Sequence, residues 1–222
     1  MTNNSQLEDG VYVWYASYGS NMWKDRLLCY LQGGQVQGMG TRCVGARNKA
    51  SPVNTCWLQV ENEMFFGHSY TQTWGAGGVA FLDPRPKTGV STHICLYKIT
   101  LEQFNDLFLQ ENRIFDYESN IINEHTLWQS STPQHASCIT RTLIEDSWYG
   151  TILQLGVKDG IPILTFTCSD EDLQKFRSGL LPLCPPSEAY LQALARGLIE
   201  GLGLTKEDAL SYLSHKVRTT QL

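Results

Sequence analysis

The residue with the clearest potential for acid–base chemistry is Glu111, near the end of a predicted helix that begins after Thr100. Phe104, Leu107 and Phe108 recur at helical spacing and form one apolar face. Glu111 follows Phe108 by three positions and Leu107 by four, so it lies on that face. A carboxylate on a buried face is costly unless it is paired, or protonated with a raised pKa. Two alternatives stay open: a general acid/base directed into a cavity, or a last-turn side chain that bends out to water or caps a neighbour.

A second candidate site is the turn that follows the first predicted strand. Residues 11–17 form an uncharged, largely aromatic and β-branched run, and Gly19, Ser20 and Asn21 follow it. A helix is predicted next, to about Gln32, where Gly33-Gly34 ends it. A sharp strand-to-helix turn leaves main-chain N–H groups that bind anions, and Gly19 allows close approach of a ligand. Such a turn is also common without function, and it lacks both familiar phosphate-loop motifs.

Other nucleophile and metal arrangements have weaker support. Ser20 is outside any G-x-S-x-G motif and has no histidine at a suggestive spacing. His93 and Cys95 share one face of a predicted strand, where a half-buried structural pair is favoured over a thiolate dyad. The seven cysteines include no C-x-x-C pair, and the five histidines show no metal-ligand spacing. We therefore expect reduced cysteines and no metal.

Composition excludes several classes of protein. The net charge of -5 disfavours a nucleic-acid binder, and the 24 aromatic residues are expected mainly in the core. No stretch is apolar enough to suggest a membrane helix, and the first residues do not resemble a signal peptide. The expected location is cytoplasmic, with no membrane partner.

The strand pattern predicts an antiparallel sheet or barrel. Short strands are predicted at residues 55–60, 64–70, 78–82, 92–99, 148–155 and 163–168. Residues 83–89 are predicted as a surface loop, 157–162 as a hairpin turn, and 126–137 as an exposed loop or lid. Helices are predicted at 169–178, after Ser187 and after Thr205. Residues 1–10 are expected to be a polar tail and residues 11–222 a single domain.

Four stretches, in the same order along the chain, carry a resemblance to a known family. They are Y-A-S-Y-G-S-N at residues 15–21, T-Q-T-W-G-A-G-G-V-A at 71–80, the helix end at 107–111, and P-S-E-A-Y at 186–190 followed by Gly197, Glu200 and Gly203-Leu204. Together they resemble the γ-glutamylcyclotransferase family over nearly the whole chain.

The resemblance implies an α+β fold, a small mixed β-barrel with flanking helices and a cavity at one mouth. It implies an intramolecular reaction, in which the α-amine of a γ-glutamyl group attacks its own γ-carbonyl and gives 5-oxoproline and a free amine. The implied catalytic acid/base is Glu111, and no metal or organic cofactor is implied. The residues implied in binding the small-molecule γ-glutamyl substrate are Tyr15, Ala16, Ser17, Tyr18, Gly19, Ser20, Asn21 and Tyr190.

The chain departs from the family pattern at three places. Asn112 follows the candidate base where many members have Gly, and Phe166 replaces a common Tyr. Residues 113–148 form a longer segment than in compact members. The substrate therefore stays open among glutathione, γ-glutamyl-amines and γ-glutamyl-lysine. A non-catalytic small-molecule binding or interaction module on the same fold is the alternative, since fold does not fix function. The expected oligomeric state is a monomer or weak homodimer.

Overall fold

Strand β1 lies at the centre of the fold, between an antiparallel and a parallel neighbour. The computed structural model describes residues 10–115, 121–123 and 139–220, so the first nine residues of the predicted tail and the predicted lid at 126–137 lie outside it. Its strands are β1 (Tyr12–Ser17), β2 (Asn54–Val60), β3 (Asn62–Gly67), β4 (Tyr70–Thr71), β5 (Gly75–Ala76), β6 (Val79–Pro86), β7 (Thr92–Thr100), β8 (Ile139–Thr142), β9 (Thr151–Lys158) and β10 (Ile161–Thr167).

Six of these strands form one mixed sheet in the order β2-β7-β1-β10-β9-β8. Strand β1 pairs antiparallel with β7 from Tyr12 to Ser17, and parallel with β10 at Trp14 and Tyr15. All residues of β1 except Tyr12 are buried. A strand with a neighbour on each side and packing on both faces needs the uncharged run that the sequence has there.

A second, two-stranded ribbon of β3 and β6 packs beside this sheet. Side-chain hydroxyls join the two layers. The Thr167 hydroxyl accepts the N–H of Leu82 at 3.2 Å and donates to the carbonyl of Leu82 at 2.8 Å, and the Thr92 hydroxyl of β7 donates to the carbonyl of Asn62 at 2.7 Å. Strands β4 and β5 form a short separate hairpin. The ribbon therefore meets β10 through a side chain.

Helices flank the sheet, as the α+β prediction requires, and the predicted fold class is confirmed. They are α1 (Lys24–Gln32), α2 (Leu101–Glu111), α3 (Asp170–Arg177), α4 (Glu188–Arg196) and α5 (Lys206–Thr220). Helix α2 begins with the predicted capping box, in which Thr100 and Gln103 exchange side-chain to main-chain hydrogen bonds of 3.0 and 3.1 Å. Its apolar face is fully buried.

The predicted loop at 83–89 and the predicted turn at 157–162 are both shorter in the structure. Strand β6 continues to Pro86, through part of the predicted surface loop. It is an edge strand of a two-stranded ribbon, and prolines are tolerated on edge strands. The predicted turn at 157–162 shrinks to Asp159-Gly160, where φ is 54° and 74°, the left-handed conformation of a two-residue hairpin turn. Pro162 lies in β10, opposite Val157. Within the described part of the chain, no helix is long and apolar enough to cross a membrane.

Candidate active site

A cavity of about 580 Å³ opens where the turn after β1 meets the end of α2. Seven of the eight residues implied in substrate binding line it together with Glu111: Tyr15, Ser17, Tyr18, Gly19, Ser20, Asn21 and Tyr190. The eighth, Ala16, is buried in β1 opposite Leu96. The structure thus brings together groups from the N-terminal, central and C-terminal parts of the chain.

The turn after β1 is a single tight helical turn. The N–H of Met22 donates to the carbonyl of Gly19, and the N–H of Trp23 donates to that of Ser20, both at 3.0 Å. Helix α1 begins immediately afterwards. This geometry holds the Asn21 side chain, which is 4% exposed, towards the cavity.

The C-terminal helix region supports the turn from behind. Gly197 lies against it so closely that a Cβ there would be 2.7 Å from the Met22 carbonyl carbon and from the Trp23 nitrogen. The indole N–H of Trp23 donates to Glu200 at 3.0 Å. These contacts give a physical role to the Gly197 and Glu200 positions, because both fix the turn that carries Asn21.

Tyr190, from α4, completes the inner wall. Its hydroxyl oxygen accepts the N–H of Ala80 at 3.2 Å and lies 3.0 Å from where a Cβ on Gly19 would be. Helix α4 begins at Ser187, whose side chain accepts the N–H of Tyr190. Burial raises the pKa of Tyr190 to about 12, so its hydroxyl remains protonated near neutral pH.

Glu111 enters the cavity from the last turn of α2. The helix ends at Asn112, whose amide nitrogen donates to the carbonyls of Phe108 (2.8 Å) and Tyr149 (3.3 Å) and whose amide oxygen accepts the Ser147 hydroxyl. Arg113 then adopts φ of 58°. The Asn112 side chain therefore ties the helix end to the 147–149 segment, a structural role that Gly could not fill.

The Glu111 carboxylate is held by an amide. Asn21 Nδ2 donates to Glu111 Oε1 at 3.2 Å and to the Tyr15 hydroxyl at 3.0 Å. Burial raises the pKa of Glu111 above its ordinary value, while the charge of Arg26 and hydrogen bonding by Tyr30 and Asn21 oppose the rise. A buried carboxyl group with a raised pKa is a candidate to accept and return a proton in a reaction.

Aromatic rings form the floor of the cavity. Phe166 stacks on Tyr15 with ring centroids 5.5 Å apart, and its carbonyl accepts the Tyr18 hydroxyl at 2.7 Å. Tyr149 packs edge-on to Phe166, and its hydroxyl donates to the carbonyl of Ala80 at 2.8 Å. Phe166 thus serves as a packing surface, and Tyr149 supplies a hydroxyl to the same wall.

The cavity mouth carries exposed aromatic residues. Tyr70 and Phe115 are 60% and 58% exposed, and Trp148 is 37% exposed. The Trp148 ring stacks on His68 with centroids 3.6 Å apart. An apolar rim of this kind can contact the part of a ligand that extends out of the cavity.

Sequence reasoning missed Arg26, which is 3% exposed and lines the cavity. Its guanidinium lies 4.1 Å from the Tyr30 ring centroid and 5.8 Å from that of Trp74. A signal was present, because Arg26 precedes Tyr30 by four positions and shares its buried helix face, the same argument that identified Glu111. Tyr149 and Cys43 carried no such signal, since long-range packing brings them to the cavity.

His93 and Cys95, the alternative candidates for a catalytic pair, lie in structural environments outside the cavity. His93 contacts Tyr212 and Gln59, and Cys95 is buried in β7 with its thiol pKa raised to about 12 by burial. Neither residue is part of the cavity lining. A thiolate dyad is disfavoured, because a raised pKa keeps a thiol protonated.

Comparison with known proteins gives a fold and one partial relative. No family model matches the chain. The chain is 46% identical over 206 residues to a protein named histone deacetylase 5 from Arabidopsis thaliana, a match that covers 92% of this chain and 31% of that protein. The chain therefore spans about a third of the length of that relative.

Among solved structures, a γ-glutamyl cyclotransferase superposes with a TM-score of 0.50 at 16% identity, covering 91% of this chain and 86% of that one. An uncharacterized protein from Homo sapiens gives 0.48 at 17% identity, covering 89% and 86%. The chain has the γ-glutamyl cyclotransferase fold.

Proposed function

We propose that this chain, which has the γ-glutamyl cyclotransferase fold, is itself a γ-glutamylcyclotransferase. The observation that carries the proposal is the partly buried Glu111 carboxyl, which lines the cavity, accepts a hydrogen bond from Asn21 and has a raised pKa. A buried carboxyl of this kind is a candidate general acid/base. A solved structure with this fold is named γ-glutamyl cyclotransferase.

The proposed reaction needs one residue, Glu111, to transfer one proton between the two nitrogens. The α-amine nitrogen of the substrate attacks its γ-carbonyl carbon, and Glu111 accepts the proton that this nitrogen loses. The tetrahedral intermediate then collapses: the bond from the former carbonyl carbon to the leaving nitrogen breaks, and Glu111 returns the proton to that nitrogen. The products are 5-oxoproline and a free amine, with no covalent enzyme intermediate.

The cavity wall contributes positioning more than reactivity. The substrate must fold so that its own amine reaches its own carbonyl, and a shaped cavity supplies this orientation. In this proposal, main-chain N–H groups of the turn at residues 18–21 stabilise the developing oxyanion, and the protonated Tyr190 hydroxyl lies beside Gly19. The aromatic floor keeps bulk water from the reacting atoms.

A second candidate function is a non-catalytic ligand-binding module. The match to part of a protein named histone deacetylase 5 favours it, because a domain inside a larger polypeptide of another activity can serve to bind a small molecule. On this alternative the same cavity binds a γ-glutamyl compound or a related acid without turning it over.

The test is 5-oxoproline release, followed by mass spectrometry, from γ-glutamyl-alanine, glutathione and γ-glutamyl-lysine. Glu111→Gln is compared with Glu102→Gln, which changes an exposed glutamate of the same helix. We expect Glu111→Gln to lower kcat by about two to four orders of magnitude, and Glu102→Gln to retain wild-type rates. Turnover that survives Glu111→Gln would remove Glu111 from the mechanism. Binding without turnover on all three substrates would favour the module.

A further inference from the structure

Three buried side-chain atoms have no hydrogen-bond partner within the described residues, and all three belong to the cavity wall. They are Ser17 Oγ, Asn21 Oδ1 and Arg26 Nε. Leaving a buried polar atom unpaired costs free energy, so native structures rarely leave several together without a reason. Their grouping in one cavity indicates that a ligand completes them.

Arg26 is the most costly of the three to leave incomplete. A guanidinium has five N–H donors, and its Nη1 donates weakly to Cys43 Sγ at 3.5 Å. In the part of the chain that the structure describes, Arg26 takes part in no carboxylate ion pair. Asp106 shows the contrast, because its carboxylate accepts two nitrogens of Arg47. A buried guanidinium without such a partner is suited to an anionic ligand.

The two ends of the Asn21 amide have different roles: the NH₂ group donates to Glu111, and the oxygen has no partner within the described residues. An ionised carboxylate accepts hydrogen bonds and cannot donate them, so the amide must present its NH₂ to Glu111, which leaves Oδ1 as an acceptor. A free acceptor next to the candidate base is suited to an N–H donor of the ligand. The cavity therefore offers the N–H donors of the Arg26 guanidinium together with the Asn21 Oδ1 acceptor.

We propose that Arg26 and Asn21 bind the α-amino acid end of the ligand, with the carboxylate on the Arg26 guanidinium and the amine on Asn21 Oδ1. The chemical class, an α-amino acid or a ring that retains its carboxylate and N–H, follows from this donor and acceptor set. Identifying that end as the glutamyl end of a cyclisation substrate rests on the proposed function. The arrangement places the amine next to Glu111.

The electrostatics favour the same arrangement. The charge of Arg26 lowers the pKa of Glu111. A carboxylate bound to Arg26 compensates that charge, so the pKa of Glu111 rises when the ligand binds. A higher pKa makes Glu111 a better proton acceptor at the moment when the amine lies beside it.

The test measures binding of the product without needing turnover. The dissociation constants of 5-oxoproline and of 5-oxoprolinamide, which lacks the carboxylate, are determined by calorimetry for wild type, Arg26→Gln, Arg26→Lys and the control Arg42→Gln. Arg42 is an exposed arginine near the cavity mouth, so it controls for general positive charge. Thermal melting establishes that each variant is folded.

We expect wild type to bind the acid about 10- to 100-fold tighter than the amide, which is the range for a charge-assisted contact. Arg26→Gln should lose that preference, Arg26→Lys should keep part of it, and Arg42→Gln should keep nearly all. Should Arg26→Gln not fold, the wild-type ratio and Arg26→Lys carry the test.

Equal binding of acid and amide by wild type, or no binding of either, would overturn the assignment. A preference that persists in Arg26→Gln would overturn it too. If the acid binds in an Arg26-dependent way but no substrate is cyclised, the proposed function is wrong and the assignment of Arg26 to the ligand carboxylate stands. If substrates are cyclised at rates that do not depend on Arg26, the proposed function stands and the assignment of Arg26 is wrong.

Discussion

Asn21 and Glu111 are 90 positions apart in the sequence, and Asn21 Nδ2 donates to Glu111 Oε1 at 3.2 Å. The same nitrogen also donates to the Tyr15 hydroxyl. The turn after β1 therefore helps to orient a carboxyl group on a helix far along the sequence. Changes at Asn21 should be visible in the titration of Glu111.

Asn21→Asp is expected to move the acidic limb of the pH–rate profile to higher pH. The substitution replaces a donor that lowers the pKa of Glu111 with a like charge that raises it. Glu111 must be deprotonated to accept the amine proton, so the variant should lose activity at a higher pH than wild type.

The measurement is kcat/KM from pH 5 to 9. We expect the loss relative to wild type to be at least about threefold larger at pH 6 than at pH 8. Asn54→Asp, at an exposed position of β2, is the control and should leave the limb in place. An unchanged limb in Asn21→Asp would separate the amide from the titration of Glu111.

Glu111→Gln is expected to stabilise the fold at neutral pH. The raised pKa means that the folded protein binds a proton more readily than the unfolded chain, so stability is lost as the pH rises through the folded value. The Gln variant avoids that loss. Thermal melting should show a gain of about 2–4 °C at pH 7.5, which shrinks below the ordinary value of 4.5. A gain that is independent of pH would point to packing instead.

Gly197→Ala is expected to displace the turn that carries Asn21. The added methyl group would lie 2.7 Å from the backbone of Met22 and Trp23, a distance that requires the helix or the turn to move. We expect a cost of about 1–3 kcal/mol in the free energy of unfolding and weaker 5-oxoproline binding. Denaturant titration and calorimetry measure the two effects. Glu200→Gln, which keeps the shape, should have a smaller effect on both.

Lys216, on helix α5 and away from the cavity, is expected to make the free energy of unfolding depend on pH in the alkaline range. Its ammonium is buried and donates to the Ser91 carbonyl and the Thr92 hydroxyl, and burial lowers its pKa to about 8. The folded protein therefore releases this proton before the unfolded chain does. Stability relative to Lys216→Met should rise by about 1–3 kcal/mol between pH 8 and 10.5. A flat difference over that range would show that the lysine titrates normally.

Local rules account for the helices, for Glu111 and for the turn after β1. Helical periodicity identified the buried face of α2, and it placed Glu111 on that face before any contact was known. Capping chemistry located the beginnings of α2 and α4 at Thr100 and Ser187. These features depend on neighbours within four positions, which a sequence displays directly.

The rest of the site depends on packing between distant segments. Tyr149 reaches the cavity because β9 is paired with β10, and Cys43 because a loop folds back on α1. Neither residue differs locally from an ordinary core residue. Arg26 is the intermediate case, since its place on a buried helix face was readable but a charged residue at a helix start is usually solvated.

The Thr167 hydroxyl has a consequence for the way in which two strands of the cavity wall are held together. Ala80 and Phe166 both line the cavity, and their strands β6 and β10 are joined by the two hydrogen bonds of Thr167 with Leu82. The link between these two strands therefore uses a side-chain hydroxyl. We expect Thr167→Val to loosen that link without changing a residue that lines the cavity.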